Sequence, residues 1–164
     1  RSPFERRGYG QVITVSPATD FEFVRQVFAH PKVWPFICDD ATADPLAFAL
    51  PYGNAYLIPS EDGVPMGCFS LTECNGVTVE LHTAILPEFR GQGTADAFAA
   101  LLDFIRTQLP EVRRLRTWVP ACNKAALAAA PKVGLTHCGT EPASFLRHGE
   151  LHDLHLYGVS FPCP

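Results

Sequence analysis

The sequence predicts an α/β fold, a mixed sheet with flanking helices, on three observations. Short apolar runs with period-two alternation recur between residues 55 and 85, parted by the turn formers Glu61-Asp62-Gly63 and Asn75-Gly76. Two other segments, 21–28 and 98–109, space their apolar residues at the helical period. Between the last alternating run and the second helix lies a passage with two glycines, Leu86-Pro87-Glu88-Phe89-Arg90-Gly91-Gln92-Gly93-Thr94-Ala95.

The elements follow in order. Gln11-Val12-Ile13-Thr14-Val15 makes a first strand that Pro17 ends. Thr19 with Glu22 fits a capping box, and Phe21, Val24, Val27 and Phe28 form the apolar stripe of a helix that Pro31 stops. Residues 32–51 read as an irregular or short-helical connection rich in aromatics and acids, among them Trp34, Phe36, Asp39 and Asp40, and are the expected substrate wall. An antiparallel meander follows, with strands over 55–58, 66–71 and 77–85. The second helix carries Phe98, Leu101, Leu102, Ile105 and Leu109 on one stripe and closes at Pro110. A strand over 116–119, a short helix over 124–130 and a final strand pair over 135–140 and 151–159 complete the order β-α-α-β-β-β-α-β-α-β-β. No internal repeat interrupts it.

Composition bounds the function. The 164 residues read as one domain, and 47% apolar content is enough for a core without staples. No run of eighteen uncharged apolar residues is present, which excludes a helical membrane span, and Arg1-Ser2-Pro3-Phe4-Glu5-Arg6-Arg7 lacks the apolar centre of a signal peptide. A net charge of −4 argues against a nucleic-acid surface, which needs excess Lys and Arg to neutralise phosphates. The one basic cluster, Arg106, Arg113, Arg114 and Arg116, reads either as a solvated face or as a phosphate contact. Cysteines at 38, 68, 74, 122, 138 and 163 show no Cys-x-x-Cys spacing and read as reduced thiols, which favours a cytoplasmic compartment.

The glycine passage reads as a phosphate grip, since successive N–H groups at a helix start form an anion site that the helix dipole supports. No Gly-Lys-Ser/Thr follows, so it is not a Walker loop, and Asp96 stands where a dinucleotide fingerprint needs a small residue. Arg90, Gly93 and Ala95 fit the Arg/Gln-x-x-Gly-x-Gly/Ala signature of the GNAT acyl-CoA N-acyltransferases, which this chain resembles. A second segment, Val119-Pro120-Ala121-Cys122-Asn123-Lys124-Ala125-Ala126 continuing to Lys132-Val133-Gly134-Leu135, is similar to that family's Asn-x-x-Ser/Ala and Lys-x-Gly-Phe block. The stretches 143–153 and 156–160 resemble GNAT-like proteins encoded by bacteriophages.

The resemblance implies a mostly antiparallel central sheet with a splayed strand pair and acetyl-CoA as cosubstrate. It places the cofactor on Ile85 and Leu86 at the strand end, on Arg90, Gly91, Gln92, Gly93, Thr94 and Ala95 in the turn, and on Asn123 at the pantetheine arm. It also implies an amine acceptor, either a small molecule or a protein N-terminus or lysine, and leaves a homodimer or phage virion partners open.

Acyl transfer to an amine needs a base and a route for the leaving thiolate. Alternation on 77–85 puts Thr78, Glu80, His82 and Ala84 on one face, with Glu80 and His82 about 7 Å apart by strand geometry. Either is a candidate base, against the plainer readings of a salt-bridging carboxylate and a hydrogen-bonded histidine. The family's glutamate on this strand favours Glu80. Where many GNAT enzymes carry an acidic tyrosine, four residues before Gly134, stands Ala130, so Tyr157 and Cys122 are the candidate substitute donors. His148, His152, His155 and Asp153 invite a metal reading that alternation opposes, and no metal is expected. Two functions follow: N-acetyl transfer, or a non-catalytic GNAT-fold component of a virion, an assembly pathway or a regulatory system, which Ala130 favours.

Overall fold

The computed structural model describes residues 11–42 and 44–162. The expectations on Arg1 to Arg7 and on Cys163 lie outside them. Eight strands and four α-helices run β1 (Ile13–Pro17), α1 (Phe21–Phe28), α2 (Trp34–Ile37), β2 (Ala55–Glu61), β3 (Val64–Pro65), β4 (Gly67–Asn75), β5 (Thr78–Ile85), α3 (Gln92–Gln108), β6 (Arg114–Pro120), α4 (Lys124–Ala129), β7 (Thr136–Arg147) and β8 (Glu150–Ser160). With the two-residue β3 set aside, this is the predicted order. The strands form a single sheet in the order β1-β2-β4-β5-β6-β8-β7, antiparallel throughout except between β5 and β6.

The sheet is mixed and its helices lie on both faces. Val79, Leu81 and Ile85 of β5 and Leu115 of β6 turn one face to Leu101 and Ile105 of α3, with Phe69 edge-on to Phe98 at 5.4 Å. The opposite face, through Tyr56, Cys68 and Ala84, packs on Val24, Val27 and Phe28 of α1. Period-two alternation in strands and the i, i+3, i+4 stripe in helices are what allow one sheet to feed two cores.

Several local expectations are corrected. The cap of α1 is Asp20, whose Oδ1 accepts the Phe23 N–H at 3.0 Å, rather than Thr19. Glu22 turns outward to Arg25 and Gln26, which hold its carboxyl down at about 2. The first strand sits two residues later than predicted, with Pro17 as its last residue. Of the final strands β7 is twice its expected length at 12 residues and β8 slightly longer at 11, because backbone pairing continues through bulges where β7 carries little apolar signal. Asp153 of β8 accepts the Ala143 N–H at 2.9 Å within one such bulge.

Candidate functional site

The site begins where two parallel strands part. β5 and β6 pair over only three positions, Thr78 with Arg114, Val79 with Leu115 and Glu80 with Arg116, although both strands run on to Ile85 and Pro120. Just past the last pair the Thr117 hydroxyl donates to the Leu81 carbonyl at 2.8 Å, taking the acceptor that a continuing ladder would have used. Beyond it the strands diverge. The wedge belongs to a cavity of about 780 Å³ that runs from Thr94 at the start of α3, past Thr117 and Val119, to Trp34, Phe36 and Phe48 of the wall.

At one end is the glycine turn. Pro87–Phe89 form a short 3-10 turn, Arg90 is extended, and Gly91 caps α3 at φ 81°, ψ −120°, a conformation that a side chain strains. The first α3 bond runs from Ala95 N–H to Gly91 C=O, so the N–H groups of Gln92, Gly93 and Thr94 have no intrahelical acceptor. Their positive ends and the dipole of a 17-residue helix meet there.

The two glycines do different work. Gly93 is buried, and a Cβ added to it would meet Met66 Cε at 3.3 Å and Phe89 Cβ at 3.5 Å. Its small size therefore serves packing of helix on sheet. Arg90 is likewise turned away from the amides. Its guanidinium donates to the Ile85 and Lys32 carbonyls and lies 5.4 Å over the Phe36 ring, tying the turn to the wall. Gln92 binds Asp96 at 2.8 Å, while Ala95 continues the helix.

Glu80 and His82 share a face as predicted, and their side chains converge: His82 Nε2 lies 3.6 Å from Glu80 Oε1. The other oxygen, Glu80 Oε2, accepts from Arg116 Nε at 3.1 Å. This arginine was not anticipated as a partner, because the contact joins residues 36 apart and depends on the parallel register. Glu80 is mostly sheltered, with 21% of its side chain exposed, whereas His82 is 59% exposed, and both line the cavity. Around them stand Ser70, opposite His82 in the β4 register, and Asn54, which donates to the Ser70 hydroxyl at 3.0 Å.

The remaining predicted residues are spread. Asn123 caps α4 through its Oδ1, which accepts the Ala126 N–H at 3.1 Å, and its amide donates to the Phe36 carbonyl at 3.4 Å while lining the cavity. Ala130 is 5% exposed, follows α4 and also lines the cavity. Tyr157 is buried in the core edge-on to His137 at 5.3 Å and is not among the cavity's lining residues. Cys122 lines a second hollow of about 500 Å³ with His148 and His152. His155 points to the other face, within 3.3 Å of His137, so these histidines do not converge. The basic cluster also divides: Arg114 binds Ser160 and Cys138, Arg106 lies over Phe161, and Arg116 serves Glu80.

The 32–51 connection contributes Trp34, Phe36 and Phe48 to the cavity lining, and its fixings were not legible in the sequence. Asp40 accepts the N–H groups of His148 and Gly149, at 2.8 and 2.9 Å, latching the wall to the tip of the β7–β8 hairpin. Those two backbone donors hold its carboxyl below the usual carboxylate value. Arg147 adds a bond to the Cys38 carbonyl at 3.3 Å.

A family model described as Acetyltransferase (GNAT) family matches residues 21–135. Spermidine N-acetyltransferase from Vibrio cholerae, in complex with CoA and spermine, is similar over 90% of this chain and 95% of its own, with TM-score 0.72 and 16% identity. The Salmonella typhimurium protein yncA, with its cofactor acetyl-CoA, is similar over 93% and 98%, with TM-score 0.66 and 18% identity. An acetyl transferase from Salmonella typhimurium that modifies the N-terminal serine of ribosomal protein L7/L12 covers 66% and 64%, at TM-score 0.59 and 18% identity. No curated protein sequence matches the chain. Among the described residues no helix is long and apolar enough to cross a membrane, and no group of three metal-ligating side chains converges.

Proposed function

The chain belongs to the acetyltransferase (GNAT) family, and from that premise we propose that it transfers an acetyl group from acetyl-CoA to a primary amine held in the aromatic half of the cavity. The observation that carries this reading is the continuity of one cavity from Thr94, in the first turn of α3, through the β5–β6 wedge, to Glu80 and His82. The unpartnered N–H groups of Gln92, Gly93 and Thr94 suit a pyrophosphate, and the wedge that opens between β5 and β6 beyond the Thr117–Leu81 bond suits an extended pantetheine arm. Asn123 and Ala130 would border that arm. When bound, acetyl-CoA supplies an activated thioester carbonyl.

The chain's own task is to hold the amine and take its proton. In this reading His82 is the base, since it is the exposed member of the pair and imidazole is suited to proton exchange near neutral pH. Glu80 orients the ring, and Arg116 fixes Glu80, so that a three-residue line replaces the single glutamate expected from the resemblance. Ala130 offers no proton to the thiolate, and Tyr157 faces the core. The thiolate leaves unaided, which a thiol of ordinary acidity permits.

The test is thiol release from acetyl-CoA with the two single variants. His82→Ala should lower kcat/KM by roughly 10²- to 10⁴-fold with acetyl-CoA affinity unchanged, the usual worth of a general base. Glu80→Gln should cost less, about tenfold, and move the pH profile, because it acts through the ring. If Glu80→Gln is the more damaging of the two, the base is Glu80. A second reading, favoured by Ala130, is that the chain keeps CoA binding as a regulatory, assembly or virion component; binding without turnover on any amine, before and after Ala130→Tyr, would select it.

A further inference from the structure

We propose that the acceptor is a primary monoamine with an aromatic body and no second charge, an inference that rests on the acetyl-transfer reading above. The acceptor half of the cavity is walled by Trp34, Phe36, Phe48, Tyr56, Trp118 and Phe145. Among the described residues that line it, none is Lys or Arg, and Glu80 is the sole carboxylate. Glu80 is already matched by the Arg116 guanidinium, so the wall carries no spare carboxylate or guanidinium.

The two arginines that border the wall are committed elsewhere. Arg90 is spent on the Ile85 and Lys32 carbonyls and the Phe36 ring, and Arg147 bonds Cys38 C=O and faces the second hollow. An amino-acid acceptor would bring a carboxylate into an apolar chamber beside Glu80 with no cation to receive it. A polyamine would bring a second ammonium with no carboxylate to receive that. Both leave a desolvated, unmatched charge. An arylalkylamine brings one ammonium, which the aromatic faces attract until His82 takes its proton, and an apolar ring that buries against Trp34 and Phe48, themselves packed edge-on at 5.2 Å.

The probes are 2-phenylethylamine, L-phenylalanine, which differs from it by the carboxylate, and spermidine. Each is measured by thiol release with acetyl-CoA and, independently of turnover, by calorimetric binding to the CoA-saturated protein. The expected result is a preference for 2-phenylethylamine of at least about 100-fold over both others in kcat/KM, and the same order in Kd. A preference smaller than about tenfold in both measurements, a reversed order, or no binding of 2-phenylethylamine overturns the proposal. Turnover of spermidine or L-phenylalanine at the higher rate would overturn it and leave acetyl transfer intact. Selective binding of 2-phenylethylamine with no turnover on any amine would remove acetyl transfer, and the acceptor role with it, and leave the cavity a binding site for that amine class.

Discussion

The turn that opens α3, through Thr94, and the wall, through Trp34, Phe36 and Phe48, meet one cavity, but they are built by opposite means. The turn is local: a 3-10 turn, an extended Arg90, one glycine at positive φ and a helix start, all within ten residues. The wall is held from a distance, by Arg90 through Lys32, by Asn123 through Phe36, and by the β7–β8 hairpin through Asp40. A local device is set by residue identity and suits a constant ligand. A wall pinned by long-range bonds can change its shape without disturbing that device, which is what a family with one cosubstrate and many acceptors requires.

Breaking the turn should give the largest effect. Gly91→Val places a β-branched side chain at φ 81°, straining the backbone by about 1–3 kcal/mol and swinging the three amides out of line. Acetyl-CoA affinity should fall by up to about 100-fold in calorimetry, while 2-phenylethylamine binding to the free protein is retained. Gly93→Ala sharpens the contrast. Met66 can give by a few tenths of an ångström, and the helix gains about 0.5–1 kcal/mol of propensity, so stability should stay within about 1 kcal/mol of the parent. A thermal melt showing Gly93→Ala as costly as Gly91→Ala would undo the distinction between the two.

Loosening the wall should act on the amine alone. Asp40→Asn removes the charged acceptor of the His148 and Gly149 N–H groups, and KM for the amine should rise about threefold to tenfold with acetyl-CoA affinity unchanged. The carboxyl is depressed in the folded protein, so its contribution is complete above the ordinary carboxylate range and is lost as pH falls through the lowered value. Amine KM should therefore climb below about pH 4 in the parent and not in Asp40→Asn. An equal rise in both would remove Asp40 from the wall.

The smallest effect is chemical. Burial pushes the Cys68 thiol up to about 12, so iodoacetamide at pH 8 should modify Cys74 and Cys138, which are exposed, and leave Cys68 intact until unfolding. The same shift makes folding stability fall as pH rises from the ordinary thiol range toward that value. Early labelling of Cys68, read by peptide mass, would show that the α1 face of the sheet opens.

The sequence reveals what is periodic or compact in it. Alternation located β5 and its two faces, the apolar stripes located α1 and α3, and the glycines located the turn. What it conceals depends on register between distant strands. Arg116 meets Glu80 because β5 and β6 pair in parallel at that position, and no spacing within either strand signals it. Gly93 and Arg90 match a motif, yet their side-chain surroundings, Met66 on one hand and Lys32 with Phe36 on the other, come from elements far off in the chain. The length of β7 escaped for a different reason: an edge strand exposed along most of its course has no apolar alternation to read.

The central claim is that the start of α3 holds the cosubstrate and the β5–β6 wedge leads from it to His82. Its most direct test is an amide NMR titration of the isotope-labelled protein with acetyl-CoA. The account predicts that Gly91, Gln92, Gly93 and Thr94 shift and saturate together with Thr117 and Ala130, while His148 and Gly149 at the hairpin tip stay still. Saturable shifts that leave Gly91–Thr94 unmoved, or no shifts at millimolar acetyl-CoA, would contradict it.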